Sequence, residues 1–352
     1  MVSLAELLLA WYDGAKRDLP WRRDSDPYKI WVSEIMLQQT RVEAVKPYFE
    51  RWLERFPTLG ELAAADDDEV LRHWQGLGYY SRARHLLAGV REVAASYGGR
   101  IPDTREEIRT VPGIGEYTAG AILSMAYGQA EPAVDGNVLR VFSRLFCLEA
   151  DVATAPAKRR VVELVTEAMP GGRCGDFNQA LMDLGATICL PKSPRCSVCP
   201  LTTLCCAFDR GDQSLFPVKR KKAPPLPVRV AAAVVERGGS YLVRRRPDKG
   251  LLAGMWEFPA VEAGEAGDLR IVLQTAVGAE TGQSILTGEI LLELTHTFSH
   301  RQWLITFYRC HLEGESSLSG GGLRWVGIEE WQGLTWAGPH GKMAAFLAGG
   351  GA

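Results

Sequence analysis

Five of the eight cysteines in this 352-residue chain fall between positions 189 and 206. Four of them, Cys189, Cys196, Cys199 and Cys205, follow the pattern C-x6-C-x2-C-x5-C, with Cys206 left over. A disulfide framework is spread through a small secreted chain, whereas crowding of this kind in a large intracellular one points to a metal. Pro191, Pro194 and Pro200 bend the loop, so the four thiolates can converge on one centre. Zinc favours paired C-x2-C knuckles or Cys/His mixtures. Only one such knuckle occurs here and no His lies nearby, so an iron–sulfur cube suits the uneven all-thiolate set better. Zinc and unligated thiols stay open as alternatives. Cys147, Cys174 and Cys310 read most simply as buried small apolar residues.

The residues before and after this loop differ in period. Residues 1–209 are helical in pattern, with apolar positions three and four apart over 42–56, 117–127, 157–169 and 177–188, and Pro or Gly at the breaks. Residues 211–227 combine the Lys219–Lys222 charge run with Pro224, Pro225 and Pro227, a linker composition. Short β-type runs follow at 228–235 and 241–245 around Gly238-Gly239, then a helix-compatible stretch at 268–279 and strands at 290–294, 303–310 and 323–326. The expected organisation is an all-α domain over 1–210 that includes the cysteine loop, a linker over 211–227, and a smaller α+β domain over 228–352. Charge is balanced throughout: 29 basic and 29 acidic residues in 1–228, and 11 and 13 in the remainder. Affinity for nucleic acid must therefore come from clustering rather than from a uniformly basic coat. No apolar run approaches the ~18 residues of a membrane span and no cleavable leader is legible, so the expected location is cytoplasmic.

Two segments carry chemistry. Residues 111–120, VPGIGEYTAG, form a Pro-Gly-Ile-Gly turn that opens a helix; with helix-type residues at 106–109 before it, this is a helix–hairpin–helix, a sequence-independent grip on a DNA backbone. Val111, Gly113 and Gly115 are its candidate backbone contacts. Glu34 stands alone in the apolar run Trp31–Leu37, where desolvation raises a carboxyl pKa toward that of a general acid. Asp135, in Val134–Val138, reads equally as a helix N-cap and as an ionised partner carboxylate. A protonated Glu with an ionised Asp is the pair that cleaves a glycosidic bond through an oxocarbenium-like state. A surface Glu and a simple capping Asp are the plainer readings of the same residues.

Taken together, LPWR at 19–22, DPYKIWVSEIMLQQT at 26–40, QGLGYYSRAR at 75–84, VPGIGEYTAG at 111–120, AVDGNVLR at 133–140 and NQALMDLGA at 178–186 leading into the cysteine loop resemble the helix–hairpin–helix DNA glycosylases, and within them the MutY-type adenine glycosylases. The resemblance covers nearly the whole chain. It implies a [4Fe–4S] cluster on Cys189, Cys196, Cys199 and Cys205. It implies that Glu34 protonates the adenine at N7, that Asp135 stabilises or transiently bonds the sugar carbon, and that Tyr117 and Asn137 orient the pair. Trp21, Arg22, Leu37 and Gln179 match the adenine pocket. Gln39 and Thr40 match contacts to an opposite 8-oxoguanine, and Leu77 and Tyr79 match residues that wedge into the base stack, core packing being the plainer reading of Tyr79 and Tyr80. Endonuclease III-type relatives carry a Schiff-base Lys where this chain has Tyr117, which implies base removal by water without efficient strand cleavage.

The second domain resembles a Nudix fold through residues 254–259, GMWEFP, but the stretch 271–280 offers one carboxylate, Glu280, where the hydrolase signature needs an acidic helix for Mg²⁺. Neither metal nor pyrophosphate hydrolysis is expected of it. Phe298, Ser299 and His300 resemble the family's loop that checks 8-oxoguanine; a simple strand end is the alternative. The expected partner is duplex DNA bearing A:8-oxoguanine or A:G, handled by a monomer of bacterial, nucleoid-associated type that initiates base excision repair. The competing expectations are an endonuclease III-like glycosylase/lyase and a catalytically silent lesion binder.

Overall fold

The computed structural model describes residues 2–220, 223–264, 267–298, 300–314 and 322–349. They divide into two compact units at about residue 221. The first is helical: α1 (Leu4–Ala15), α2 (Pro27–Leu37), α3 (Val42–Arg55), α4 (Leu59–Ala64), α5 (Asp67–Trp74), α6 (Ser81–Ser96), α7 (Arg105–Ile108), α8 (Glu116–Tyr127), α9 (Gly136–Leu145), α10 (Ala155–Ala168), α11 (Cys174–Thr187) and α12 (Cys206–Asp209). Local chemistry starts several of them. Ser3 and Glu6 form a capping box on α1, Thr58 and Glu61 another on α4, and Asp66 and Asp135 cap α5 and α9 with their carboxylates. The four periodic segments of the sequence correspond to α3, α8, α10 and α11 within three residues. By contrast, α2 shows little amphipathic period because Tyr28 and every residue from Ile30 to Met36 are buried.

Two apolar cores hold this unit. One gathers Trp31, Phe49, Trp52, Phe56 and Trp74 under α2, α3, α5 and α6; the other gathers Leu8, Phe142, Val161 and Phe177 under α1, α9, α10 and α11. Helix α8 contributes to both, through Ile122 and Ala121. Part of the expected linker belongs to this unit. Val152 donates to the Val218 carbonyl, and the Arg144 guanidinium donates to the carbonyls of Gln213 and Phe216. Cys147 is buried as expected but is also bonded to Cys206, 59 positions further along the chain, with Cα atoms 5.8 Å apart. A partner so distant leaves no local trace in the sequence.

The second unit is a mixed sheet. Its strands are β1 (Leu226–Arg237), β2 (Ser240–Arg245), β3 (Trp256–Glu257), β4 (Ala260–Ala263), β5 (Ser284–Thr297), β6 (Arg301–Glu313) and β7 (Leu323–Gly327), in the order β3-β2-β1-β6-β5, with β4 on β1 and β7 on β2. β1 already includes Leu226 and Pro227, so the sheet begins inside the expected linker. It runs parallel to β6 and is buried on both faces. Val230, Ala232 and Val234 face Phe258, Trp331 and Trp336. Ala231, Ala233 and Val235 face Leu273 and Val277 of α13 (Leu269–Thr281). Gly238 and Gly239, at φ +57° and +80°, make the β1–β2 turn as the hairpin signal predicts. α14 (Gly338–Leu347) closes the Trp-rich face with Met343 and Ala344. No helix of the described residues is long and apolar enough to cross a membrane.

Close approach fixes one glycine of the first unit. A Cβ on Gly120 of α8 would lie 2.1 Å from the Pro132 carbonyl oxygen. Helix propensity alone favours Ala there by ~1 kcal/mol, but the clash costs about 1–3 kcal/mol. Gly120→Ala is therefore expected to destabilise the protein in urea unfolding, and a gain in stability would contradict the contact.

Candidate active site

Ten of the residues singled out in the sequence line a single cleft of about 1250 Å³ in the first unit: Trp21, Arg22, Glu34, Leu37, Gln39, Thr40, Tyr117, Asp135, Asn137 and Gln179. Glu34 projects from the middle of α2 and Tyr117 from the start of α8, and the Tyr117 hydroxyl donates a short hydrogen bond to Glu34 Oε2. Burial pushes the Glu34 carboxyl up to about 7, and the charge of Asp135 adds to the effect against the opposing Tyr117 bond and the Arg22 charge. Burial also drives the Tyr117 phenol well above its usual range, so it is a donor.

Asp135 is both a cap and a site residue. Its Oδ1 accepts from the amides of Asn137 and Val138 at 2.9 and 2.8 Å, and its Oδ2 accepts from Asn137 Nδ2 at 2.7 Å. Burial raises its pKa, opposed by these donors. Two carboxyls of unequal environment thus face one cleft, Glu34 with a single hydroxyl donor and Asp135 with three N–H donors. One is suited to hold a proton and the other to stay ionised.

The Asn137 side chain is held in turn. Arg140, one turn along α9, donates to Asn137 Oδ1 at 2.8 Å and to the carbonyls of Gly185 and Cys189 at 2.7 Å each. A turn further, Arg144 donates to Cys189 Sγ at 3.3 Å and to the carbonyls of Leu190 and Pro191, while its own carbonyl accepts from Cys205 Sγ at 3.6 Å. The same helix therefore carries Asn137 at its start and grips both ends of the cysteine loop near its end. Cys189, Cys196, Cys199 and Cys205 carry no disulfide and are half-buried. Cys189, Cys199 and Cys205 pack against one core. Among the described residues no three His, Cys, Asp or Glu side chains converge as a single ion requires.

Arg17, outside the motif blocks, and Arg22, Arg82 and Asp183, within them, make contacts that the sequence does not reveal. Asp183 of α11 lies buried between Arg17 and Arg22: Arg17 Nε donates to Oδ1 at 2.8 Å, and Arg22 Nη1 and Nη2 to Oδ2 and Oδ1 at 2.8 and 2.9 Å. Burial opposes its charge, but the two guanidiniums hold its carboxyl below the usual range. This fixes Arg22 at the cleft wall. Arg82 does the corresponding work for the loops that follow α2 and α5. Its Nη1 donates to the carbonyls of Ile35, Met36 and Gln38, and its Nη2 to Thr40 Oγ1 and the carbonyls of Leu77 and Gly78, all within 2.5–3.2 Å. The two loops carry Gln39 and Tyr79, both in the left-handed region at φ +58° and +48°. Tyr79 is 48% exposed, so core packing does not describe it, whereas Leu77 is buried in the core. In the hairpin, Val111 is core and Gly113, at φ +81°, closes against His85.

In the second unit, Phe298 packs edge-on against His296 and Trp303, and His300 is exposed, its carbonyl accepting from the Leu226 amide. Ser299 lies outside the described residues. Glu280 of α13 accepts from Arg244 Nη1 at 2.7 Å, and Arg244 Nε donates to the buried Glu257 at 3.0 Å.

Arg82→Lys keeps a cation but cannot serve six acceptors in two directions. With at least two buried carbonyls orphaned, stability is expected to fall by about 2–4 kcal/mol in urea unfolding. A loss below a few tenths would mean that the loops do not depend on the fork.

Residues 32–167 match the family model of the HhH-GPD superfamily base excision DNA repair proteins, and residues 230–345 match the NUDIX domain model. The chain is 39% identical to the human adenine DNA glycosylase, over 92% of this chain and 70% of that one. It is 46% identical to the adenine DNA glycosylase of Mycolicibacterium smegmatis, over 55% of this chain and 66% of that one. Among solved structures, that of a thermostable thymine-DNA glycosylase superimposes with a TM-score of 0.54 at 31% identity, covering 58% of this chain and 95% of that one. The chain belongs to the adenine DNA glycosylase family, base excision repair enzymes of the HhH-GPD superfamily, here with a C-terminal Nudix-like domain.

Proposed function

We propose that this enzyme removes adenine lying opposite 8-oxoguanine, and also opposite guanine, by hydrolysis and without strand cleavage. The observation that carries the reading is Glu34, a buried carboxyl raised to about 7 on the wall of a cleft it shares with Asp135. A base inside a duplex is out of reach, so the adenine is first flipped into the cleft, where Trp21, Arg22, Leu37 and Gln179 receive it. Glu34 gives its proton to N7. The C1′–N9 bond breaks with its electron pair leaving on a now neutral base, and the sugar develops oxocarbenium character that the Asp135 carboxylate stabilises. Water then forms the C1′–O bond and gives up a proton to Glu34, now a carboxylate, which restores the acid. Tyr117 and Asn137 keep the two carboxyls aligned.

At the position where a lyase needs an amine, Tyr117 offers a phenol committed to Glu34, which supports release by water alone. Gln39, Thr40, Leu77 and Tyr79 on the loops tied by Arg82, and Phe298, Ser299 and His300 in the second domain, would read the opposite base. This assigns residues 1–210 to base excision and 228–352 to lesion recognition, in a cytoplasmic monomer, with Glu280, the single carboxylate of the 271–280 stretch, bonded to Arg244.

The four half-buried thiols, near enough that Cys189, Cys205 and Cys196 add to the effect of burial in raising the Cys199 pKa, and with Cys189 and Cys205 on Arg144 of α9, suit a multi-iron group. Cys189, Cys196, Cys199 and Cys205 would hold a [4Fe–4S] cluster, which when bound supplies a one-electron centre and a cross-link to a loop of short helical turns.

The test is single-turnover adenine release from a duplex with one A opposite 8-oxoguanine, beside an A:T control, using protein that carries iron and acid-labile sulfide in equal amounts. Release from the lesion duplex alone, with breaks only after alkali, is expected. Breaks without alkali, or cleavage of a thymine glycol duplex, would favour the lyase reading; binding without release would favour a silent lesion binder. The acid assignment makes a separate prediction. Glu34 must be protonated to act, so release falls as pH rises through about 7. Glu34→Gln loses at least ~10²-fold in rate with duplex binding intact. A rate that rises through the same pH range would make Glu34 a base instead.

A further inference from the structure

Tyr12 lies on α1, outside both segments matched by family models, and it does not line the cleft. It is nonetheless 3% exposed, and its hydroxyl donates to Gln179 Oε1 at 3.2 Å. Salt bridges frame this bond on either side. Asp13 pairs with Arg173 at the start of α11, and Arg17, just beyond α1, pairs with Asp183 further along α11. With α1 fastened to α11 above and below, the phenol has little freedom to move away from the carboxamide.

The polarity of the bond follows from the chemistry. Burial pushes the phenol up to about 12, with Arg22 and Arg17 opposing and Asp183 and Asp176 adding to the shift, so at working pH it carries its proton. A buried O–H needs an acceptor. A carboxamide turned the other way would set its own N–H₂ toward the phenol and leave the phenolic proton unpaired.

We propose that Tyr12 is a specificity-determining positioning residue: by donating to Gln179 Oε1 it turns the Nε2 end of that carboxamide into the cleft, as a donor to a ring nitrogen of the extruded purine. This rests on the adenine-releasing activity proposed above. A base with an N–H at that ring position, as guanine has at N1, sets donor against donor there and is refused; a ring nitrogen with a lone pair is accepted. Discrimination of this kind rests on the penalty of an unpaired buried polar group rather than on shape. Asp183 secures Arg22 on the same wall, so two supports behind the cleft fix the direction of its polar edge.

The experiment is single-turnover release of adenine, 1-deazaadenine and 3-deazaadenine opposite 8-oxoguanine by the full-length wild-type chain and by Tyr12→Phe. N7 is left in place because Glu34 requires it. Intrinsic leaving-group differences among the bases cancel when the two proteins are compared. In the wild type one of the two deaza bases is expected to be slower than adenine by about tenfold, the worth of one buried hydrogen bond. In Tyr12→Phe that penalty shrinks to about twofold or less, with duplex affinity unchanged, and in a Gln179→Ala background Tyr12→Phe changes nothing further. An unchanged deaza penalty in Tyr12→Phe, or a loss that adds fully to that of Gln179→Ala, overturns the proposal. If Tyr12→Phe folds poorly, Gln179→Glu serves instead. It keeps an acceptor for Tyr12 and removes the donor, so a deaza penalty that survives it also overturns the proposal. Absence of adenine release by the wild type overturns the glycosylase reading and this inference together; with release intact, only the Tyr12 assignment is at stake.

Discussion

A carboxyl group in the middle of a helix buried on every side is expensive, and much of the first unit is arranged to meet that expense. Glu34 has Trp31, Ile35 and Met36 of its own helix in the core around it and a single hydroxyl to bond. Water would lower the cost by solvating the charge. Here burial withholds that solvation and shifts the group toward its protonated form. Asp135 meets the opposite requirement with ordinary means. The amides at the start of α9 would want an acceptor in any protein, and by accepting from them Asp135 stabilises the helix while the same bonds oppose the effect of burial on its charge. Reading Asp135 as a cap and reading it as a site residue describe one arrangement.

The parts of the site that the sequence discloses are those written as contiguous blocks. Glu34, Gln39 and Thr40 lie in one run, Asp135 and Asn137 in another, and ten such residues reach one cleft. What it conceals is mostly long-range. Asp183 meets Arg17 and Arg22 across more than 160 positions, and Arg82 reaches back more than 40 to the loop after α2. Nothing about an Arg in a helical run says that its fork will face six oxygens. Cys147 and Cys206 are hidden in the same way. Helix α2 is concealed for another reason: a segment buried all round has no polar face to give its period away, although its apolar run marks it as interior.

A common device runs through both units. Where backbone turns sharply or carboxylates are buried, a guanidinium fills the space: Arg82 between two strained loops, Arg140 and Arg144 between α9 and the cysteine loop, Arg22 and Arg17 about Asp183. The planar fork answers several acceptors at fixed angles, which an ammonium cannot. Stability, however, is only part of what these residues provide. Gln39 and Tyr79 occupy conformations that side chains ordinarily avoid, and a held pair of loops keeps them there.

The second unit uses the same device. Arg244 of β2 is bonded at once to Glu257 of β3 and Glu280 of α13. A dissolved ion comes and goes with its concentration, and its sites empty under a chelator. A cation attached to β2 by its own side chain cannot be dialysed away. Glu257 and Glu280 therefore keep their counter-charge whatever the magnesium concentration around the domain.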